Sequence, residues 1–175
     1  IEQLALDRTS ESTMYSAGVS RPFGERWQWS LDASTMTLGS TLESGGVAAT
    51  PSSGTDTAVS TQAMGYGLFG RGDVTSLGLQ YQTGESAQML SLGVGTQLPV
   101  GERGRVGPRL RLDQRKLDSD RSTSLVYSPA LRAEMRGKHL TFEVEGGAEI
   151  GSRDLGTSSE DASRYYFSLG YRYDF

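Results

Sequence analysis

The stretch Ser163-Arg-Tyr-Tyr-Phe-Ser-Leu-Gly-Tyr-Arg-Tyr-Asp-Phe175 divides cleanly by parity. Its odd positions carry Tyr165, Phe167, Leu169, Tyr171, Tyr173 and Phe175, and its even positions carry Arg164, Tyr166, Ser168, Gly170, Arg172 and Asp174. Successive side chains of an extended chain point to opposite faces, so one face is aromatic and aliphatic while the other is charged or small. The alternation lasts thirteen residues. A strand of a soluble domain usually runs for only about 5–6.

Upstream the same period recurs. Leu140, Phe142, Val144, Ala148 and Ile150 alternate with Thr141, Glu143, Glu145, Gly147 and Glu149; Leu125, Tyr127, Leu131 and Met135 alternate with Ser124, Ser128, Arg132 and Glu134. Val106, Leu110 and Leu112 face away from Arg105, Arg109, Arg111 and Asp113, and Leu90, Leu92, Val94 and Leu98 from Ser91, Gly93, Gly95 and Gln97. Further copies lie at 75–82, near 61–69, at 26–37 with Trp27, Trp29 and Leu31 against Gln28, Ser30 and Asp32, and at 12–20. That makes nine strands, and no helical spacing with capping residues competes with them.

Composition narrows the class. The chain has 175 residues, net charge −4, 35% hydrophobic residues and 23 glycines, below the usual apolar content of a globular domain. No apolar run exceeds three residues, so no transmembrane helix is written in it. A membrane-spanning strand is different, because it alternates lipid-facing and lumen-facing residues and its average hydropathy looks soluble. A soluble β-sandwich also alternates, but it would have to place Arg109, Arg111, Glu143, Glu145, Glu149, Arg164 and Arg172 inside if the greasy face were surface. Lipid on one side and a polar lumen on the other accommodates both faces. The sequence therefore predicts an all-β protein, an antiparallel transmembrane β-barrel with 8–10 strands in this chain, standing alone or as the C-terminal part of a larger barrel.

Connections give the orientation. Phe23-Gly-Glu-Arg26, Phe69-Gly-Arg-Gly-Asp73, Val100-Gly-Glu-Arg-Gly104 and Arg136-Gly-Lys138 read as short turns, whereas 39–59, 83–87, 114–122 and 152–162 read as the longer, polar connections. Short periplasmic turns opposite long external loops are the outer-membrane pattern. Trp27, Trp29, Phe69, Tyr171, Tyr173 and Phe175 then form an aromatic girdle near the periplasmic end. Nine strands would leave the chain ends on opposite sides, so either residues 3–7, with Leu4 and Leu6 on one face, add a tenth strand, or one weak segment near 12–37 is miscounted and eight remain, or more strands lie elsewhere. Ile1 in place of an initiating Met is read as a processed or partial chain.

The terminal Tyr171-Arg-Tyr-Asp-Phe175 resembles the C-terminal assembly signal of bacterial outer-membrane proteins. Tyr15-Ser-Ala-Gly-Val-Ser-Arg-Pro-Phe-Gly-Glu-Arg-Trp27 and Phe142-Glu-Val-Glu-Gly-Gly-Ala-Glu-Ile-Gly-Ser-Arg-Asp154 are similar to the last portion of tetratricopeptide-repeat outer-membrane proteins, such as exopolysaccharide export porins of the PelB, PgaA and BcsC type and Slam-type translocators. The resemblance implies a bacterial outer-membrane location with lipid bilayer and lipopolysaccharide around the barrel. It also implies recognition by the barrel-assembly machinery, a periplasmic repeat scaffold or secretion partners, and outward passage of polysaccharide or surface protein. No 34-residue helical repeat is present in this chain.

Candidate sites lie on the polar face: Asp32, Arg109, Arg111, Asp113, Arg132, Glu134, Glu143, Glu145, Glu149, Arg164, Arg172 and Asp174. They read either as a salt-bridge network filling a small closed barrel or as the wall of a charged conduit. Gly65, Gly67, Gly78, Gly93, Gly95, Gly107, Gly147 and Gly170 are expected on the same face. Cysteine is absent, which excludes disulfides, thiolate metal sites and cysteine nucleophiles. His139, the single histidine, follows a turn with no nucleophile placed beside it, and Glu143 and Glu145 lack a sugar cleft. Arg71-Gly72-Asp73 reads as turn chemistry. No phosphate loop, zinc motif or nucleic-acid stripe appears, so neither an enzyme nor a cofactor nor a nucleic-acid partner is expected. A small closed anchor or adhesin barrel and, further off, an outer-leaflet enzyme are the competing functions.

Overall fold

A computed structural model describes residues 9, 11–52, 54–119, 122–155 and 158–173. Nine strands follow one another: β1 (Ser12–Phe23), β2 (Trp27–Leu38), β3 (Thr55–Tyr66), β4 (Val74–Thr83), β5 (Ala87–Val100), β6 (Gly104–Leu117), β7 (Thr123–Arg136), β8 (Leu140–Asp154) and β9 (Ser159–Tyr173). They form one antiparallel meander in sequence order, each strand hydrogen-bonded to its neighbours in the chain, and no helix occurs among the described residues. The sheet is open. β1 and β9 are its edges, and backbones approach one another only between strands that are neighbours in sequence. Both edge strands run from the 39–54 connection's end of the sheet toward the 24–26 turn's end, so pairing them directly would be parallel, unlike all eight existing seams. The proposed additional strand at residues 3–7 lies outside the described residues.

Polarity is inverted relative to a water-soluble fold. Among the described residues no hydrophobic side chain is buried, and the least exposed side chains are the polar Asp73, Thr75, Ser91 and Ser122. On β5, Ser91 is 6% exposed while its neighbours Leu90 and Leu92 are 40% and 50% exposed. β4 repeats this, with Leu77, Leu79 and Tyr81 exposed and Gly78, Gln80 and Gln82 half-buried. On β4, β5, β7 and β8 the polar face is the less exposed of the two, which makes it the concave side of a curled sheet and leaves the aliphatic and aromatic face outward. Exposure rises toward the free edges: Tyr15 and Phe23 on β1 and Tyr165, Phe167 and Tyr171 on β9 are all at least 70% exposed, because no flanking strand covers one side of them.

The connections differ from expectation. β3 begins at Thr55, β6 continues to Leu117, β8 continues to Asp154 and β9 starts at Ser159, so the ends of the polar segments expected to be loops are paired strand. Backbone pairing continues where side-chain alternation has faded, since the ladder needs only N–H and C=O groups. The connections at that end reduce to 39–54, 84–86, 118–122 and 155–158, against 24–26, 67–73, 101–103 and 137–139 at the other. Thus 67–73 is longer than three of its supposedly long counterparts, and the length contrast rests on 39–54 alone. That segment folds back through the Thr41–Thr50 and Ser44–Val47 bridges around Gly45 and Gly46, whose φ of 59° and 79° suits the turn of a tight hairpin. The 67–73 turn is organised by the buried Asp73, whose carboxylate accepts the backbone N–H groups of Leu68, Phe69 and Gly70 at 3.1, 3.2 and 2.8 Å.

Two glycines expected on the polar face lie elsewhere. Gly65 is registered with Trp27 on the apolar face, where a Cβ would approach the indole to 3.0 Å, and Gly67 sits in the turn with φ 66°. Strand β3 ends at Tyr66, so its parity cannot be extended through the turn.

Candidate functional site

The concave face has two chemical halves. Strands β1 to β5 supply mostly hydroxyl, amide and glycine positions, with Asp32 folded over Gly18 of the neighbouring strand. Strands β6 to β9 supply nearly all the charge. Register decides how these charges meet. Arg109 is aligned with Ala130 on β7 and Ala130 with Gly147 on β8, two small residues that leave room for the arginine to reach past β7. It forms an ion pair with Glu145 of β8, and its Nη2 donates to the Tyr166 hydroxyl of β9 at 3.2 Å. Tyr166 in turn donates to Glu145 Oε1 at 3.0 Å. Its ring covers Gly147, where a Cβ would stand 2.7 Å from the phenol. One triad therefore ties β6, β8 and β9 together across β7.

Around it lie single pairs. Arg132 Nη2 donates to Glu143 Oε2 at 2.6 Å, Arg111 Nε to Asp113 Oδ1 at 2.9 Å and Arg136 Nε to Glu134 Oε1 at 2.6 Å, and Arg164 is paired with Glu149. The Ser91 hydroxyl donates to Asp113, linking β5 to this half. Glu145 is 12% exposed but Arg109 is 51%, and pairs of that exposure contribute about 0–1 kcal/mol each. They are too weak to be the sheet's core. Their effect is to lay guanidinium groups along the wall with carboxylates beside them. Asp32 stands apart in the neutral half and Arg172 lies on the same face toward the end of β9. Asp174 lies outside the described residues.

The aromatic groups gather at one end of the outward face. Trp27 and Trp29 open β2, and Tyr171 and Tyr173 close β9, all at the 24–26 turn's end. Trp29 Nε1 donates to Thr61 Oγ1 at 2.7 Å, giving the indole a polar partner on an otherwise apolar face. Phe69 protrudes from its turn, and Phe175 lies outside the described residues. The His139 ring lies 6.3 Å from that of Tyr173.

Tyr166 and Ser91 were not singled out from sequence, and Asp73 was read only as part of the Arg71-Gly72-Asp73 turn that it organises. Tyr166 had a usable signal, as an aromatic residue on the polar face of its strand. Its partner Gly147 and its link to Arg109 follow from register across three strands, which parity does not give. Comparison with protein-family models, with curated proteins and with solved structures returns no match.

Proposed function

We propose that this chain forms wall of a bacterial outer-membrane β-barrel, acting as the conduit or anchor of an export or secretion system for polysaccharide or surface protein. The observation that carries the reading is the inverted polarity: an outward face of exposed aliphatic and aromatic side chains opposite a concave face of paired charges and hydroxyls. In water such a sheet would expose its apolar side chains and have no core, whereas lipid solvates the first face and a hydrated lumen the second. The aromatic residues at one end suit a headgroup interface. The open sheet favours the conduit over the small closed barrel, since an eight-stranded barrel has room only for side chains. Additional strands are required to satisfy the β1 and β9 edges, because unpaired backbone in hydrocarbon costs several kcal/mol per group. Transport rather than covalent chemistry is the activity proposed. Refolded full-length protein in a planar bilayer should give stepwise ionic conductance; a folded, inserted and non-conducting protein would instead indicate the anchor, and a protein that stays in solution would overturn both.

A further inference from the structure

Gly107 on β6 stands at the centre of a cross of polar side chains on the concave face. Along its own strand the neighbours on that face are Arg105 and Arg109, and across the seam it is aligned with Arg132 on β7. On its other side lies Gln97 of β5, whose side chain a Cβ at 107 would meet at 3.6 Å. Gly95, aligned with Arg109, and Ser76, aligned with Gly95, carry the floor on to β4. With no side chain at 95 or 107, a cavity of about 300 Å³ opens there, lined by Arg105, Arg109, Arg132 and Glu134 and, toward β3 and β4, by Met64 and Val74.

The charges around this cavity are unevenly engaged. Arg109 donates from Nη2 to Glu145 and Tyr166, and Arg132 from Nη2 to Glu143. Among the described residues neither donates from Nε or Nη1, and both side chains stay about half exposed. A guanidinium donates from all three of its nitrogens, so each keeps an open edge. Arg105 forms no ion pair among the described residues, because Glu134, aligned with it on β7, is held by Arg136 Nε at 2.6 Å. The lining therefore sets three guanidinium groups against one carboxylate, and that carboxylate is already bonded. Glu143 and Glu145 lie one strand further on, each bound to its arginine.

We propose that this cavity binds the carboxylate of an acidic polysaccharide, with Arg105, Arg109 and Arg132 donating to the carboxylate and Ser76 and Gln97 bonding the hydroxyls of the same sugar. The inference rests on the conduit reading above and narrows its cargo to a polymer of the uronic-acid type. Open guanidinium edges select a planar oxyanion, which accepts their N–H groups two at a time. The rest of the wall selects a glycan. From the cavity toward β1 the concave face continues as hydroxyl, amide and glycine positions, with Gln62 aligned to Gly78 and Ser60 to Gln80. Such a surface suits a chain that carries many hydroxyls for each charge, and it gives the apolar side chains of a polypeptide little to pack on.

The test uses the full-length chain folded in non-ionic detergent micelles and titrated calorimetrically with trigalacturonate, maltotriose and tetraglutamate in turn. Wild type should bind trigalacturonate about tenfold more tightly than maltotriose, the weight of one charge-assisted hydrogen bond. Arg105→Gln, which breaks no ion pair, should remove about that factor, and Arg105→Lys should recover part of it. Ser76→Tyr, which fills the cavity from β4 and leaves the cations in place, should abolish binding of the acid. Equal affinity for the acidic and the neutral trisaccharide would overturn the site, as would unchanged affinity in the folded R105Q variant. Tetraglutamate bound as tightly as trigalacturonate would overturn the saccharide in favour of an acidic peptide. Conductance in planar bilayers reads the conduit separately: conductance without acid binding refutes the site alone, and acid binding without conductance refutes the conduit alone.

Discussion

Replacing Val94 by Arg separates a lipid-facing sheet from a water-facing one. Val94 lies on the outward face of β5, aligned with Leu77 on β4 and Leu110 on β6, and is 43% exposed. From Leu90 to Val100 the strand advances about 34 Å at ~3.4 Å per residue, and a ~40° tilt leaves about 26 Å along the membrane normal, close to the ~25 Å apolar band of such barrels. Val94 therefore sits near mid-band and Val100 at the interface. In lipid, Val94→Arg should cost about 2–4 kcal/mol and Val100→Arg about 0–1 kcal/mol. In water both would be surface substitutions, within about 0.5 kcal/mol of wild type. The assay is urea unfolding of vesicle-inserted protein followed by the fluorescence of Trp27 and Trp29. Equal stability of V94R, V100R and wild type, with protein that stays dispersed without detergent, would refute the lipid-facing assignment.

Asp73→Ala removes the acceptor of three turn N–H groups and should cost about 1.5–3 kcal/mol, with Asp73→Asn recovering part of the loss in the same urea titration. Gly147→Val places its side chain into the Tyr166 ring and should destabilise by about 1–3 kcal/mol, whereas Tyr166→Phe, which keeps the ring and loses only the hydroxyl, should cost less than G147V; the reverse order would remove the packing role of Gly147. Deletion of Phe175 should reduce the heat-modifiable, membrane-assembled fraction in cells, and unaltered assembly would count against a terminal recognition signal.

How far each feature could be read ahead depends on its range along the chain. The strand at Leu140–Asp154 was legible over its first eleven residues because Phe142, Val144 and Ile150 alternate with carboxylates. Its last turn-ward residues, like 114–116 on β6, are polar on both faces and looked like loop, yet the backbone ladder carries them on as strand. The placement of Gly67 failed for the opposite reason: alternation was continued to residue 69 through a strand that stops at Tyr66, whereas Gly65, inside the strand, shares the face of Trp27 by register.

By itself the sequence determined the period of two, the places of nine strands within a range of eight to ten, and the sorting of charge and carbon onto opposite faces, all consequences of where neighbouring side chains point in extended backbone. Only the tertiary structure decided which charges meet. Arg109 finds Glu145 and Tyr166 because the register sets Ala130 and Gly147 in its path, a relation among residues as many as 57 positions apart. The same holds for the uncovered edges of β1 and β9: pairing and curvature are properties of several strands together, and no single strand's alternation contains them.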